Sequence, residues 1–212
     1  MEKEKDGYSG IEKLLNPKKS EILLIESLEI YKLKKNNFVK CLVFMALSAI
    51  LSYGIGMSPN TVSIFQEIVD LVLNVTLALL GITFTGYTFF QALINGRLIE
   101  VLVTVQNEET GDDNFNQING SFVKLMMLYI FVITISFFLK IFSVGIDSDF
   151  ILTGNMFVNE TIAIVGIGIY IYFSVMAIWH IKSFVYNIFQ LFNMRAVREF
   201  IDTKNSENKT EE

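Results

Sequence analysis

One lysine, Lys140 in "SFFLKIFSV", sits inside an apolar run and holds the most pointed chemistry in this sequence. A charge among membrane-spanning residues is costly and usually faces protein or water, so an acid is expected beside it. Asp70 and Glu160 should lie at a similar level, with Glu67 and Asp147 as further candidates. An intramembrane ion pair of Lys140 with Asp70 or Glu160 would hold or gate a bundle. The alternative is that Lys140 snorkels to headgroup phosphate. His180, directly after Trp179, has the side chain to sense pH or relay a proton, and its place beside an interfacial tryptophan equally fits a membrane-belt anchor.

In "LNVTLALLGITFTGYTFF", the residues Asn74, Gly81, Thr85 and Thr88 share a helical face with Asp70. Such a polar and small stripe lines a hydrated path or serves as a packing face, where threonines bond their own backbone carbonyls. Ser48, Ser52 and Gly56 recur every four residues, and Gly166 and Ser174 extend the theme, which favours close helix approach in a bundle or an oligomer. The hydroxyls of Tyr170 and Tyr172 call for partners across helices. The acids Glu108, Glu109, Asp112 and Asp113 lack the alternation of a calcium loop and read as a solvated connection.

No nucleophile and base pair, metal-ligand spacing, phosphate loop or cofactor motif accompanies these residues, so the expectation is no catalytic, metal or cofactor site and no enzyme. One cysteine, Cys41, rules out an internal disulfide and a Cys-cluster metal site, and a single histidine rules out a multi-His site. A net charge of −5 argues against nucleic acid as a direct partner. The residues do not identify a specific biochemical activity.

The elements that must position them are membrane helices. The chain has 212 residues, 52% of them hydrophobic, with 19 Phe and two Pro, unlike an ordinary soluble domain. A bilayer core takes roughly 20 apolar residues per helix. Spans are expected at 38–57, 68–94, 122–144 and 161–181, with three spans as the competing count. The loops 56–66 and 145–160 hold no Lys or Arg, whereas basic residues fill both terminal regions and Arg97 and Lys124 flank the middle connection. By the positive-inside rule both termini and the middle connection face the cytoplasm, and the basic-free loops face out. The fold class expected is an all-α integral membrane four-helix bundle with short cytoplasmic helical extensions.

Outside the 38–181 transmembrane domain, residues 1–37 form a cytoplasmic segment with an amphipathic helix in "SEILLIESLEIYKLKK". There Ser20 is the candidate N-cap, and acids precede Lys32, Lys34 and Lys35. That helix lies at the membrane surface or packs on the extensions. After Arg97, "LIEVLVTVQ" continues as helix or short strand, and after Lys182, "SFVYNIFQLFNMRAVREFI" repeats Phe184, Ile188, Leu191 or Phe192 and Arg195 at helical spacing. This extension covers 182–202, and 203–212 reads as a disordered tail.

The stretch "LLGITFTGYTFFQALINGRLIEVL", a Gly- and Thr-bearing span running through a short break into "LIEVL", resembles small multi-span bacterial membrane proteins, some encoded with antiphage defence modules. The resemblance covers roughly thirty residues and transfers no functional residue. It implies a bacterial inner-membrane protein that senses infection or disturbs the membrane with a cytoplasmic partner. The leading expectation is therefore a non-enzymatic, homo-oligomeric membrane sensor or membrane-disrupting effector. The alternative is an oligomeric ion channel or small transporter.

Overall fold

The computed structural model describes residues 19–31, 38–94, 99, 102, 114–146 and 152–210. Among them every regular element is helical and none is a strand. A short helix α1, Ser20–Leu28, leads into a 3-10 turn, Glu29–Tyr31. Helices α2 (Phe38–Gly56), α3 (Thr61–Leu93), α4 (Asn114–Val144), α5 (Met156–Trp179) and α6 (Ile181–Thr210) follow. Four helices are long and apolar enough to cross a membrane: α2, α3, α4, and α5 with its continuation.

Local signals set the ends. The turn between α2 and α3 holds Pro59, whose fixed φ cannot continue a helix. Past it, the Asn60 carbonyl accepts the Ile64 amide at 3.0 Å and opens α3, while Thr61 Oγ1 ties back to the Ile55 carbonyl at 2.9 Å. Helix α5 is capped by Asn155, whose Oδ1 accepts the Phe157 amide at 3.0 Å. The Asn159 side chain then fastens the preceding loop, accepting from the Thr153 amide and donating to its carbonyl, both at 2.8 Å.

Helix α1 starts differently from the expectation. The Ile22 and Leu23 amides donate to the Lys19 carbonyl at 3.0 and 3.1 Å, so Lys19 fills the capping place and Ser20 is the first helical residue. A cap is defined by the carbonyl that accepts first, and a serine there has no say if its neighbour's carbonyl does so. Leu33 and the lysines 32, 34 and 35 lie outside the described residues. Helix α6 runs to Thr210, past the expected end at 202 and through most of the segment read as disordered. Lys and Glu in that tail are good helix formers, and Thr203 Oγ1 donates to the Glu199 carbonyl at 2.8 Å.

The chain folds as two compact units. The first takes Leu24–Gly81 and Met127–His180. In it α2 packs on α5 and α3 packs on α4 and α5, making a four-helix bundle. Gly56 and Ser52 sit against Ile164 and Gly168, so the small residues of α2 are an internal seam. Gly168 makes this approach, whereas Gly166 is exposed in open space. The second unit takes the described residues of Met1–Leu23, Ile82–Met126 and Ile181–Glu212. Its centre is aromatic: Phe122 meets Phe90 and Phe184 with ring centroids 5.3 Å apart in each case, and Phe115 stacks on Phe90 at 6.0 Å.

Burial along the helices has a period of seven. On α3, Val69, Thr76, Thr83 and Phe90 are each 0% exposed. On α4 the buried residues at this spacing are Phe115, Phe122, Tyr129, Ser136 and Ser143, on α5 Tyr170 and Ala177, and on α6 Phe184 and Leu191. Seven residues per two turns is the repeat of left-handed helix packing. Phe137, Phe138, Ile141 and Phe142 are exposed, as a surface facing lipid requires.

Candidate functional site in the membrane bundle

Lys140 lies near the end of α4 and Asp70 in the third turn of α3. Lys140 Nζ and Asp70 Oδ2 are 2.5 Å apart. The pair keeps 32% and 46% of its side chains exposed, so it sits at the edge of the bundle and not in its centre. A cation in the last turns of a helix also faces the negative end of the dipole. One turn away, Gln66 Nε2 donates to the Ser143 carbonyl at 2.7 Å, satisfying one of the carbonyls that α4 leaves open at its end. Glu160, in the first turns of α5, is half-buried and makes no ion pair with Lys140 among the described residues. Glu67 is exposed and likewise unpaired among them. Asp147 lies outside the described residues, as do Glu108, Glu109, Asp112 and Asp113.

Below the ion pair comes a polar layer, in which the Tyr170 hydroxyl has a partner across helices as expected. Ser136 Oγ and Tyr170 Oη are 2.8 Å apart, Ser136 also donates to the Val132 carbonyl, and Phe65 packs edge-on against the Tyr170 ring at 5.7 Å. One heptad further along α4, Tyr129 is fully buried and its hydroxyl has no partner among the described residues. Tyr170 was legible from its hydroxyl in an apolar span; Ser136 and Tyr129 were not, because their seven-residue spacing with Phe122 is hidden when serine, tyrosine and phenylalanine share no polarity.

The stripe Asn74, Gly81, Thr85 and Thr88 is exposed along its whole length. It lies on the side of α3 away from the buried Val69, Thr76 and Thr83, so it lines no path inside this bundle. Thr88 Oγ1 donates to the Thr85 carbonyl at 2.8 Å and so hides its own polarity. Asn74 makes no hydrogen bond among the described residues.

His180 caps α5 with φ −72° and ψ −11°. Its Nδ1 is 2.7 Å from the Met176 carbonyl, which can only accept, so Nδ1 carries the proton. Trp179 beside it packs edge-on against Phe44 at 5.3 Å. His180 thus holds its ring and amide on the last turn of α5. Among the described residues no group of three or more His, Cys, Asp or Glu is placed to hold a metal ion.

With four apolar spanning helices and charges confined to their edges and ends, this is a membrane protein. No protein-family model, curated protein or solved structure matches the chain.

Past the His180 turn, α6 presents two faces. Phe184 and Leu191 are buried, with Phe184 pressed on Gly86, and Asn187 Nδ2 donates to Ser121 Oγ at 2.7 Å. Val185, Phe189, Val197 and Phe200 are exposed on the other side, each 58–69% accessible. That second face is apolar without being covered, a feature that marks interaction surfaces.

Proposed function

We propose that the protein is a non-enzymatic sensor or partner-triggered effector of the bacterial inner membrane, with both termini in the cytoplasm. It works with a cytoplasmic protein partner in a setting such as antiphage defence. The observation that carries this reading is the uncovered apolar face of α6, Val185, Phe189, Val197 and Phe200, on a helix whose Phe184 and Leu191 are buried. The orientation rests on the basic residues at both termini and the basic-free loops. The partner surface is the exposed Val185, Phe189, Val197 and Phe200 face of α6.

The test is purification of the intact chain from its native membrane in mild detergent. A cytoplasmic protein recovered in fixed ratio, and lost with Phe200→Glu or Val197→Glu while the chain stays folded, supports the reading. Recovery of the chain alone at every detergent concentration contradicts it.

A second reading, an oligomeric channel or small transporter, is favoured by the exposed polar stripe of α3. Because Asn74, Gly81, Thr85 and Thr88 face away from their own bundle, a path along them would run between copies.

A further inference from the structure

We propose that a second copy of this chain docks along the face of α3 that carries Glu67, Asp70 and Asn74. These residues are spaced three and four apart and therefore stack on one side of the helix, with Ser63 before them and Gly81 after them, all exposed or at the bundle edge. Three observations ask for a protein neighbour there and not lipid.

First, Asn74 lies about 9 Å inside the span that begins near Ile68, at 1.5 Å per residue. Its carboxamide, with two donors and an acceptor, has no partner among the described residues. Lipid tails offer none, so the group calls for a partner beyond the described residues, which a second copy supplies.

Second, the charges complement one another between copies. Glu67 is an acid without a cation in its own chain among the described residues, while Lys140 spends one of three ammonium donors on Asp70 and remains partly exposed. Glu67 lies about 4.5 Å along α3 from the Asp70 that Lys140 meets, so in a second copy inserted the same way round it comes within a long side chain's reach of that lysine, which then bridges its own Asp70 and the neighbour's acid.

Third, the face is long enough for a continuous seam: from Ser63 to Gly81 it runs about 27 Å at 1.5 Å per residue, close to the thickness of a bilayer core.

Copies inserted the same way round are related by an axis along the membrane normal, so a two-fold brings this face onto itself. The two α3 helices then run parallel, and Asn74 meets the second copy's Asn74, where donor faces acceptor. Gly81 has open space around its Cα, which leaves room for that approach. The proposal does not depend on either functional reading.

The experiment is oxidative cross-linking of the full chain in native membranes on a Cys41→Ser background. Asn74→Cys and Gly81→Cys are expected to give a species of twice the chain mass, several-fold more than Phe142→Cys on the exposed side of α4. Equal cross-linking at Phe142→Cys, no cross-linking at the α3 positions, or a product with a different protein would each overturn the proposal. In the otherwise unaltered chain, Asn74→Leu is expected to weaken self-association in detergent about tenfold, and Asn74→Gln to preserve it. Unchanged self-association of Asn74→Leu would also overturn it.

Discussion

Lys140 reaches across from α4 to Asp70 on α3 at 2.5 Å, joining two helices at the rim of the bundle next to the Gln66 to Ser143 hydrogen bond. Removing one charge leaves the other in a poorly hydrated place. Lys140→Met and Asp70→Leu are each expected to lower thermal stability in detergent, by about 1 kcal/mol once the pair's exposure is allowed for. The double variant should lose less than the sum of the two, because neither charge is then orphaned. Additive losses would mean that the pair is not coupled.

The two buried tyrosines of the bundle should respond in opposite directions. Tyr170→Phe removes the hydroxyl bonded to Ser136 and is expected to cost about 1 kcal/mol. Tyr129→Phe removes a buried hydroxyl without a partner among the described residues and is expected to be neutral or stabilising by about 1 kcal/mol. Unfolding of both variants in the same detergent checks the contrast.

Glycines separate in the same way. A Cβ at Gly56 would lie 2.3 Å from Ile164 Cγ1 and 3.4 Å from its Cα, and one at Gly86 would lie 2.3 Å from Phe184 Cζ. Gly56→Ala and Gly86→Ala should each destabilise by about 1–3 kcal/mol through overpacking. Gly54→Ala, in open space on the same helix as Gly56, should stabilise by up to about 1 kcal/mol through helix propensity.

These contrasts also mark how far residue patterns reach in a membrane. Runs of apolar residues sufficed to place all four spanning helices, and "SFVYNIFQLF" to extend the fourth, because bilayer thickness and helical spacing act on one segment at a time. The inward face did not follow, since lipid is as apolar as a protein core. Thr76, Thr83 and Ser136 are buried while Phe138 and Phe142 are exposed, the reverse of a soluble protein. For the same reason Asn74, Gly81, Thr85 and Thr88 were recognisable as a stripe, but not as one that turns away from its own bundle. Of the acids considered for Lys140, Asp70 and Glu160 could not be separated by depth alone; packing of α3 on α4 places Asp70 within reach.

Tyr31 gives a pH dependence. Its hydroxyl donates to the Phe173 carbonyl at 3.1 Å, pinning the turn after α1 to α5, and burial raises its pKa. Unfolded, the phenol ionises near pH 10. The folded value is higher, so this contribution is fully present below about pH 10 and is lost as pH rises through the folded value. Tyrosinate absorbance of the native chain minus that of Tyr31→Phe should therefore show no ionisation of Tyr31 at or below pH 10. A normal phenol titration at that position would mean that the turn is not held against α5.

Ion flux through liposomes containing the purified full-length chain tests the central claim most directly. A sensor or partner-triggered effector passes no steady current by itself, and Asn74→Leu and Thr85→Val leave that baseline unchanged. Steady, ion-selective flux from the chain alone, abolished by those same substitutions, would contradict the account and make the α3 face the wall of a channel.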